Sequence, residues 1–443
     1  YWSAVLFFAL LAGAAPSCAA DGDLDLAFAD GGRLVIAPAD ASLGVTASTV
    51  QRDGKLLFAG YRWYVGSQPF DNQIAVWRVR NDGTLDSSFG DNGMATLSFG
   101  DTFAEPWSIV AQDDGHILIA ASADGFGIFR LDADGSPDAE FGTDGRVILD
   151  FSDLGYAAGS FAWAVGHDAA GNIVASGSAS SSQSPDVYSM AFSRLHADGS
   201  PDVSFGNGGR LVVPFGTMAD PRNSTAAALI VDTDGSLTAA GTVDVTTNGV
   251  LGFGAVRLRS DGTLDPAFGS GGLATFDPPG GNGGRAFSLF AHDHGLLVAG
   301  SCGYNSAETT LCAVRLGEDG SIDSTWGIDG WGQIPVGGGM RSLADAVLQD
   351  DGKLVLAGTA PVPLPTDFAI GRLTADGHPD ATFGSAGFAT VSFDNASGED
   401  RASTLTLQAG RIVVAGSTTG VPSLRALAAT RLQNALVFAD GFE

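Results

Sequence analysis

The stretch that decides the fold is residues 78–93, which read RVRNDGTLDSSFGDNG. Arg78 stands eight residues before Asp86, an Asp-Gly pair lies between them, and Phe89-Gly90 and a further glycine, Gly93, follow. The core of this stretch, a small apolar residue, Asp, two variable residues and an aromatic, occurs seven times at a mean spacing of about 59 residues. Its members are Asp25 and Phe28, Asp86 and Phe89, Asp138 and Phe141, Asp202 and Phe205, Asp265 and Phe268, Asp323 and Trp326, and Asp380 and Phe383.

Apolar runs between these motifs are separated by a second tight turn, such as Asp53-Gly54 or Asp114-Gly115. Asp-Gly between two apolar runs is a strong hairpin signal because the favoured turns need positive φ. The pattern therefore predicts four short strands in each repeat unit. For the whole chain it predicts an all-β, seven-bladed β-propeller with four antiparallel strands per blade. An open solenoid of small sheets is the alternative. Closure is favoured because a closed ring leaves no exposed terminal edges.

Both chain ends also indicate closure. The last strand before a motif runs to Arg431-Leu432 with no motif after it, whereas the first motif, residues 24–28, has no such strand before it. We expect these two fragments to meet. The motif aromatics are expected to pack between blades, with a ligand-stacking ring as the alternative, and each motif Asp is expected to pair with the preceding Arg or to cap its turn.

Arg-Leu, Asp-Gly and Leu-Asp-x-x-Phe-Gly-x-x-Gly together resemble the delta-60 repeat, a bacterial β-propeller repeat of mostly uncharacterised exported proteins. The resemblance extends over residues 24–432, with Ala29 and Trp326 as local departures. It implies a propeller in an exported protein and transfers no catalytic residue.

Residues 4–15, AVLFFALLAGAA, followed by small residues, have the pattern of a secretory signal peptide. We therefore expect residues 1–20 to be a signal peptide whose own start is missing, cleaved after Ala19 or Ala20. A buried strand and a lipoprotein site at Cys18 are the alternatives. Residues 21–432 would form the propeller, and residues 433–443 a tail whose FADGFE end is either an export signature or a decayed eighth motif.

The charge and the apolar content of the chain exclude several classes of binding partner. There are 50 acidic and 22 basic residues, a net charge of −28, which disfavours nucleic acid and anionic membrane surfaces. After signal removal no apolar run is long enough to span a bilayer. We expect a monomer that is secreted, periplasmic or displayed at the cell surface and that binds an extracellular or cell-surface ligand.

Removal of Cys18 with the signal peptide would leave two cysteines, Cys302 and Cys312, which flank a loop between neighbouring strands. An exported protein would also lie in a compartment that permits disulfides. These observations predict a disulfide bond, with two free buried thiols as the alternative.

Candidate binding residues are Tyr61, Trp63, Tyr64 and Phe70, which we interpret as a loop suited to carbohydrate or protein contact, unless the loop packs on its own blade. No catalytic set and no cofactor are predicted. Asp132, Asp134 and Asp138 could contribute to a Ca²⁺ site, but an EF-type glutamate is missing and Asp-Gly turns explain the acids. His292 and His294 lack a recognisable third metal ligand. The function predicted is that of a non-enzymatic exported binding or scaffold protein, and the alternative is a propeller-based lyase or hydrolase acting on polysaccharide.

Overall fold

The structure is a computed structural model that describes residues 20–64, 66, 72–98, 104–181, 187–217, 220–245, 250–293, 295–303, 309–335, 342–360, 366–393, 398–421 and 424–434. Its strands form seven four-stranded antiparallel sheets, which confirms the predicted seven-bladed propeller. In each blade the first strand lies nearest the central channel and a strand of four residues forms the outer edge.

The strands of the first three blades, in chain order after β1 (Arg33–Ile36), are as follows: β2 (Ala41–Val50), β3 (Leu56–Tyr64), β4 (Asn72–Val79) and β5 (Met94–Leu97); β6 (Ala104–Ala111), β7 (Ile117–Ala123), β8 (Phe126–Leu131) and β9 (Arg146–Leu149); β10 (Gly159–His167), β11 (Ile173–Ser180), β12 (Tyr188–Leu195) and β13 (Arg210–Val213). A short hairpin of β14 (Phe215–Thr217) and β15 (Asp220–Arg222) leads into the fourth blade.

The remaining blades are formed by the following strands: β16 (Ser224–Val231), β17 (Leu237–Asp244), β18 (Leu251–Leu258) and β19 (Leu273–Phe276); β20 (Gly284–His292), β21 (Gly295–Cys302), β22 (Thr310–Gly317) and β23 (Trp331–Ile334); β24 (Ser342–Leu348), β25 (Leu354–Ala360), β26 (Asp367–Leu373) and β27 (Phe388–Val391); β28 (Asp400–Gln408), β29 (Arg411–Val421) and β30 (Leu424–Leu432), with β1 as the outer strand of the seventh. In the described part of the chain, the one helical element is a 3₁₀ turn, Ser152–Leu154, and no helix is long and apolar enough to cross a membrane.

Each motif connects the third and fourth strands of one blade rather than joining two blades. In the structure β5 folds back on β4, with Met94 opposite Trp77, because the motif is a tight connection between antiparallel neighbours. A blade therefore consists of three long strands, a motif and the short strand after it.

The ring closes as predicted, because β1 pairs with β30. The connecting turn is divided between the chain ends: the Gly22 N–H donates to the Gln433 carbonyl at 2.9 Å, and the Gln433 N–H donates to the Asp23 carbonyl at 2.7 Å. Gly83 and Arg80 make the same bonds within one continuous turn of the first blade. The seventh Asp-Gly turn is thus assembled from residues 21–23 and 433–434.

In most blades a guanidinium on the third strand joins the motif to the next blade. The Nε atom of Arg78 donates to Asp86 Oδ2 at 2.9 Å, its Nη1 donates to the Ala133 carbonyl of the second blade at 2.6 Å, and its Cζ lies 4.5 Å from the centre of the Phe89 ring. The corresponding Arg-to-Asp bonds are Arg130 to Asp138, Arg194 to Asp202, Arg315 to Asp323, Arg372 to Asp380 and, across the chain ends, Arg431 to Asp25. The motif aromatics, Phe28, Phe89, Phe141, Phe205, Phe268, Trp326 and Phe383, are all buried.

Two blades depart from this arrangement. Arg257 of the fifth motif donates to the Thr238 hydroxyl and the Glu318 carbonyl, and its partner by position, Asp265, lies 3.8 Å from Arg259. In the sixth motif the indole N–H of Trp326 donates to the Ala375 carbonyl at 2.9 Å. The tryptophan thereby makes the link to the next blade that an arginine makes elsewhere.

The predicted disulfide between Cys302 and Cys312 is present, with the Cα atoms 5.9 Å apart. The two cysteines do not lie directly opposite each other in the strand register. Cys302 lies opposite Thr310, and Cys312 lies opposite Gly300, so the bond is diagonal across β21 and β22.

Candidate functional site: the central channel

The central channel is a cavity of about 760 Å³ lined by the first strands of all seven blades. Each of these strands carries a β-bulge, a place where one residue is left without a partner on the second strand. Bulges re-aim side chains and are frequent beside functional sites. The seven bulged residues all line the channel: Thr46, Trp107, Trp163, Ala227, Phe287, Ala344 and Ser403.

Two of the bulged residues form an aromatic surface in adjacent blades. The rings of Trp107 and Trp163 lie 4.6 Å apart between centroids, at 44° to each other. Their indole N–H groups donate to the hydroxyls of Ser122 at 3.0 Å and Ser178 at 3.1 Å, on the second strands of the same blades. Phe161 contacts Trp163 at 6.5 Å between centroids. Hydrogen bonding at one edge therefore holds two half-buried indoles with their apolar faces available to the channel.

Two of the channel-lining first strands carry a charged residue two positions before the bulged residue. This position holds Glu105 in the second blade and Arg401 in the seventh, and both line the channel. Burial raises the pKa of the Glu105 carboxyl. In the first blade the position is Gly44, where a Cβ atom would lie 2.3 Å from Cζ of Tyr61. A glycine is required there because the Tyr61 ring occupies that space.

Tyr61 is held by Arg425, whose Nη1 donates to the tyrosine hydroxyl at 3.3 Å. Arg425 also lines the channel, and Arg401 forms an ion pair with Glu399 at 2.6 Å. One arc of the channel wall, from the seventh blade to the second, thus presents two guanidinium groups, a phenol and a carboxyl.

A second carboxyl in the channel has a structural role. Asp345 directly follows the bulged residue of the sixth blade. Its Oδ1 accepts hydrogen bonds from the Ser288 hydroxyl at 3.0 Å and from the Ala346 N–H at 2.8 Å. At Oδ2 it accepts from the Thr404 hydroxyl at 3.2 Å and the Leu405 N–H at 3.0 Å. Burial raises the pKa of Asp345, and these bonds lower it in part. The carboxyl therefore bridges the fifth, sixth and seventh blades with both oxygens in use.

Three of the four aromatic residues proposed from the sequence fall within the described structure. Tyr61, Trp63 and Tyr64 lie at the end of β3 rather than in a loop, and Phe70 lies outside the described residues. Tyr61 lines the channel, Trp63 is 42% exposed, and the ring of Tyr64 stacks with Arg62 at 4.5 Å. The strand extends further than expected because β3 pairs with β2 as far as Ala41.

The channel residues Trp107, Trp163, Glu105 and Asp345 were not predicted from the sequence. A positional signal does exist: the bulged residue stands eight residues before the glycine of the first hairpin turn in six blades, as Trp107 does before Gly115. In the seventh blade the interval from Ser403 to Gly410 is seven. The residue type at the position is not constant, because Trp and Ala each occupy it in two blades and Thr, Phe and Ser in one each, so no repeated sequence pattern marks it.

The proposed Ca²⁺ ligands separate into two groups. Asp134 accepts hydrogen bonds from the N–H and hydroxyl of Ser136 in its own turn, at 2.9 and 2.6 Å. Asp132 and Asp138 instead converge on His116, which the sequence did not single out. His294 lies outside the described residues, so the pairing of His292 with it is not described.

Comparisons with known proteins agree with the repeat and add no activity. Residues 51–89, 112–141, 233–268 and 349–383 match a family described as "Domain of unknown function (DUF5122) beta-propeller". No curated protein matches the chain.

Similar solved structures share little sequence with the chain. They include a protein of unknown function from Bacteroides caccae (12% identity over 80% of this chain and 99% of that one, TM-score 0.36). Sqt1 from Chaetomium thermophilum has 9% identity over 89% and 97% of the two chains, with a TM-score of 0.48. Trypanosoma rangeli sialidase has 10% identity over 88% of this chain and 55% of its own, with a TM-score of 0.38. The chain is a seven-bladed β-propeller that carries repeats similar to the DUF5122 β-propeller domain.

Proposed function

We propose that this protein is an exported binding protein, built from repeats of the delta-60 kind, that holds a carbohydrate in its central channel without transforming it. The observation that carries the proposal is the Trp107 and Trp163 pair, fixed at the channel wall beside Glu105. Binding pockets combine apolar and aromatic walls with a few convergent polar groups, and this wall has that composition.

A sugar ring matches such a wall because it has apolar C–H faces and a rim of hydroxyl groups. The faces would pack on the indoles, and the rim would meet Glu105, Arg401 and the Tyr61 hydroxyl. Indoles are well suited to this contact because they offer a large apolar surface with little rotamer freedom to lose. The net charge of −28 disfavours a polyanionic ligand such as nucleic acid.

Binding is favoured over catalysis because the channel offers no free pair of carboxyls. Glycosidases generally use two carboxyl groups on opposite sides of the scissile bond. Of the two acids with raised pKa that the described part of the channel contains, Asp345 has each oxygen engaged by two donors, which leaves Glu105 as the accessible one. An enzyme acting on polysaccharide is the second candidate, and Glu105 would then be its acid.

Export is part of the proposal. The disulfide between Cys302 and Cys312 is typical of an oxidising compartment. The expected cleavage after Ala19 or Ala20 would also leave Asp21, which contributes to the ring-closing turn, as the second or first residue of the mature chain.

The test is calorimetric titration with a panel of neutral and uronic-acid oligosaccharides, using three proteins. Trp163→Ala removes an indole from the channel, and Trp63→Ala is the matched control because Trp63 is exposed outside it. We expect Trp163→Ala to weaken binding at least about tenfold, the effect of losing one stacked aromatic contact, and Trp63→Ala to change it less than about twofold. The opposite order would place the ligand at the exposed end of β3, outside the channel lining. Mass spectrometry of the oligosaccharides after incubation decides the second candidate: products that disappear with Glu105→Gln would identify an enzyme.

A further inference from the structure

A cluster of one imidazole and two carboxylates lies at the periphery of the second blade, away from the channel-lining residues. His116 follows the hairpin turn between β6 and β7, and its Nε2 atom lies 3.4 Å from Asp132 Oδ1 and 3.6 Å from Asp138 Oδ2. The three atoms all lie within 4.8 Å of one another. Tetrahedral zinc with bonds of about 2.0–2.1 Å places its ligand atoms roughly 3.3–3.4 Å apart. The two measured separations are within a few tenths of an ångström of that value.

A further carboxylate lies beside the imidazole. Asp114 Oδ2 is 3.0 Å from Nδ1 of His116, although this nitrogen makes no hydrogen bond of acceptable geometry. A carboxylate near the outer ring nitrogen is common behind a metal-binding histidine. Nε2 is the ring nitrogen that faces Asp132 and Asp138.

In two other blades a positive charge lies beside the motif carboxylate at this place. The residue after the hairpin glycine is Lys55 in the first blade, with Nζ 3.3 Å from the motif carboxylate of Asp86. In the seventh blade it is Arg411, with Nε 3.0 Å from Asp25. His116 occupies the same position in the second blade, where a bound cation would lie beside the motif carboxylate of Asp138 as the lysine and arginine do beside theirs.

We propose that a divalent transition metal of the zinc class binds at this position, with His116, Asp132 and Asp138 as its protein ligands and water completing the coordination. The mixed nitrogen and oxygen donors favour such an ion over Ca²⁺, which prefers six or more oxygens. Asp138 Oδ2 also accepts from Arg130 Nε at 2.5 Å. One carboxylate oxygen has lone pairs for both the guanidinium and a metal ion. The positive charge of the guanidinium nevertheless repels the metal ion, so we expect a Kd for zinc in the micromolar range.

The test compares the mature protein with His116→Lys, which reproduces the residue of the first blade and is therefore compatible with the fold. Zn²⁺ is titrated against a chromophoric chelator, and Co²⁺ is used to read the ligand field by visible absorption. We expect one zinc ion per chain, a Kd at least about 20-fold higher for His116→Lys, and a cobalt spectrum that this variant loses. Zinc should also raise the thermal midpoint of the wild type alone.

Asp132→Asn is the second variant and should weaken zinc binding while leaving urea unfolding close to wild type, because Asp132 is partly exposed. Equal zinc affinity in wild type and His116→Lys would overturn the proposal, as would the absence of zinc binding by the wild type. Displacement of zinc by an equal concentration of Ca²⁺ would also overturn it, since that result requires an oxygen site.

Discussion

The most direct test of how the blades are joined is Arg194→Met. Arg194 donates from Nε to Asp202 at 2.7 Å, from Nη2 to the Ser204 hydroxyl at 3.0 Å, and from Nη1 to the Ser260 carbonyl of the next blade. Its Cζ lies 4.9 Å from the centre of the Phe205 ring. Arginine and its acid partner are both buried, at 6% exposure each. Methionine keeps much of the packed volume of the side chain and removes the charge.

The expected loss is about 3–5 kcal/mol of unfolding free energy, the usual cost of removing one partner of a buried ion pair. Most of it comes from Asp202, which stays buried as a charge without its guanidinium. Consistent with that dependence, the pKa of Asp202 is lowered: burial raises it, but hydrogen bonds from Ser204 and Arg194 and the charge of Arg194 outweigh burial.

The chain contains a matched control in Arg257→Met. Arg257 also stacks on its motif ring, at 4.6 Å from Phe268, and donates to the next blade at the Glu318 carbonyl. Its bonds, however, go to Thr238 rather than to Asp265, whose side chain is 24% exposed. We therefore expect a loss of about 1–3 kcal/mol from the hydrogen bonds and the ring contact.

Urea unfolding, followed by tryptophan fluorescence and circular dichroism, gives the unfolding free energy of both variants. The losses are calculated from the shifts of the urea midpoints with one common m value. The double variant Arg194→Met/Asp202→Asn should recover at least about 1 kcal/mol of the loss, because it no longer leaves a buried charge unpaired. If Arg194→Met costs no more than Arg257→Met and the second substitution recovers nothing, the ion pair is not what makes this arginine matter.

Three further outcomes follow from the core, the disulfide and the carboxylates. Phe205→Ala should cost about 3–5 kcal/mol in the same urea assay, as for other fully buried aromatics, and a loss below about 1 kcal/mol would contradict its role in packing. Replacing Cys302 and Cys312 together by Ser should cost roughly 2–3 kcal/mol by the loop-closure argument, and exported wild-type protein should yield no alkylatable thiol at these residues before reduction. The motif carboxylates Asp86, Asp138, Asp202 and Asp380 have lowered pKa values. Because the folded values lie below the unfolded value of about 3.9, this stabilisation is present above that pH and lost as the pH falls further. The thermal midpoint should therefore be level from neutral pH to about pH 5 and fall steeply below about pH 4, and a midpoint that holds at pH 3 would contradict the linkage.

The architecture could be predicted from the sequence because its determinants are local and repeated. A turn such as Asp82-Gly83 needs positive φ at its glycine, which has φ of 86°, and few residues other than glycine tolerate that value. The spacing from Arg78 to Asp86 is the span of one such turn, and it recurs because the same ion pair is built in most blades. Blade number, strand number, closure and the disulfide all depend on these local signals.

The channel could not be predicted in the same way, because its residues vary from blade to blade. The bulge position holds Thr46 in one blade, Trp107 in the next and Ala227 in the fourth, so nothing in its composition marks it. The proximity of Trp107 and Trp163 depends on the packing of two blades whose bulges are 56 residues apart in the sequence. The aromatics near Tyr61 were conspicuous in the sequence, yet Tyr64 lies on the opposite face of β3 from Tyr61 and Trp63 because successive residues of a strand point to opposite faces.

The turn that is divided between the two chain ends connects the repeated architecture with the channel. Asp21 serves the seventh blade as Asp134 serves the second: its carbonyl accepts from the Gly384 N–H at 2.9 Å, and its carboxylate forms an ion pair with Arg372 at 2.6 Å. Asn434, three residues after Arg431, accepts from Arg372 Nη1 through its side chain at 2.7 Å, where other blades offer a turn carbonyl. Both halves of the turn therefore bond to the sixth blade. The ring needs no covalent link at this point because the contacts that hold any two blades together are repeated across the junction. The channel lies inside this closed ring, because the first strands of all seven blades line it.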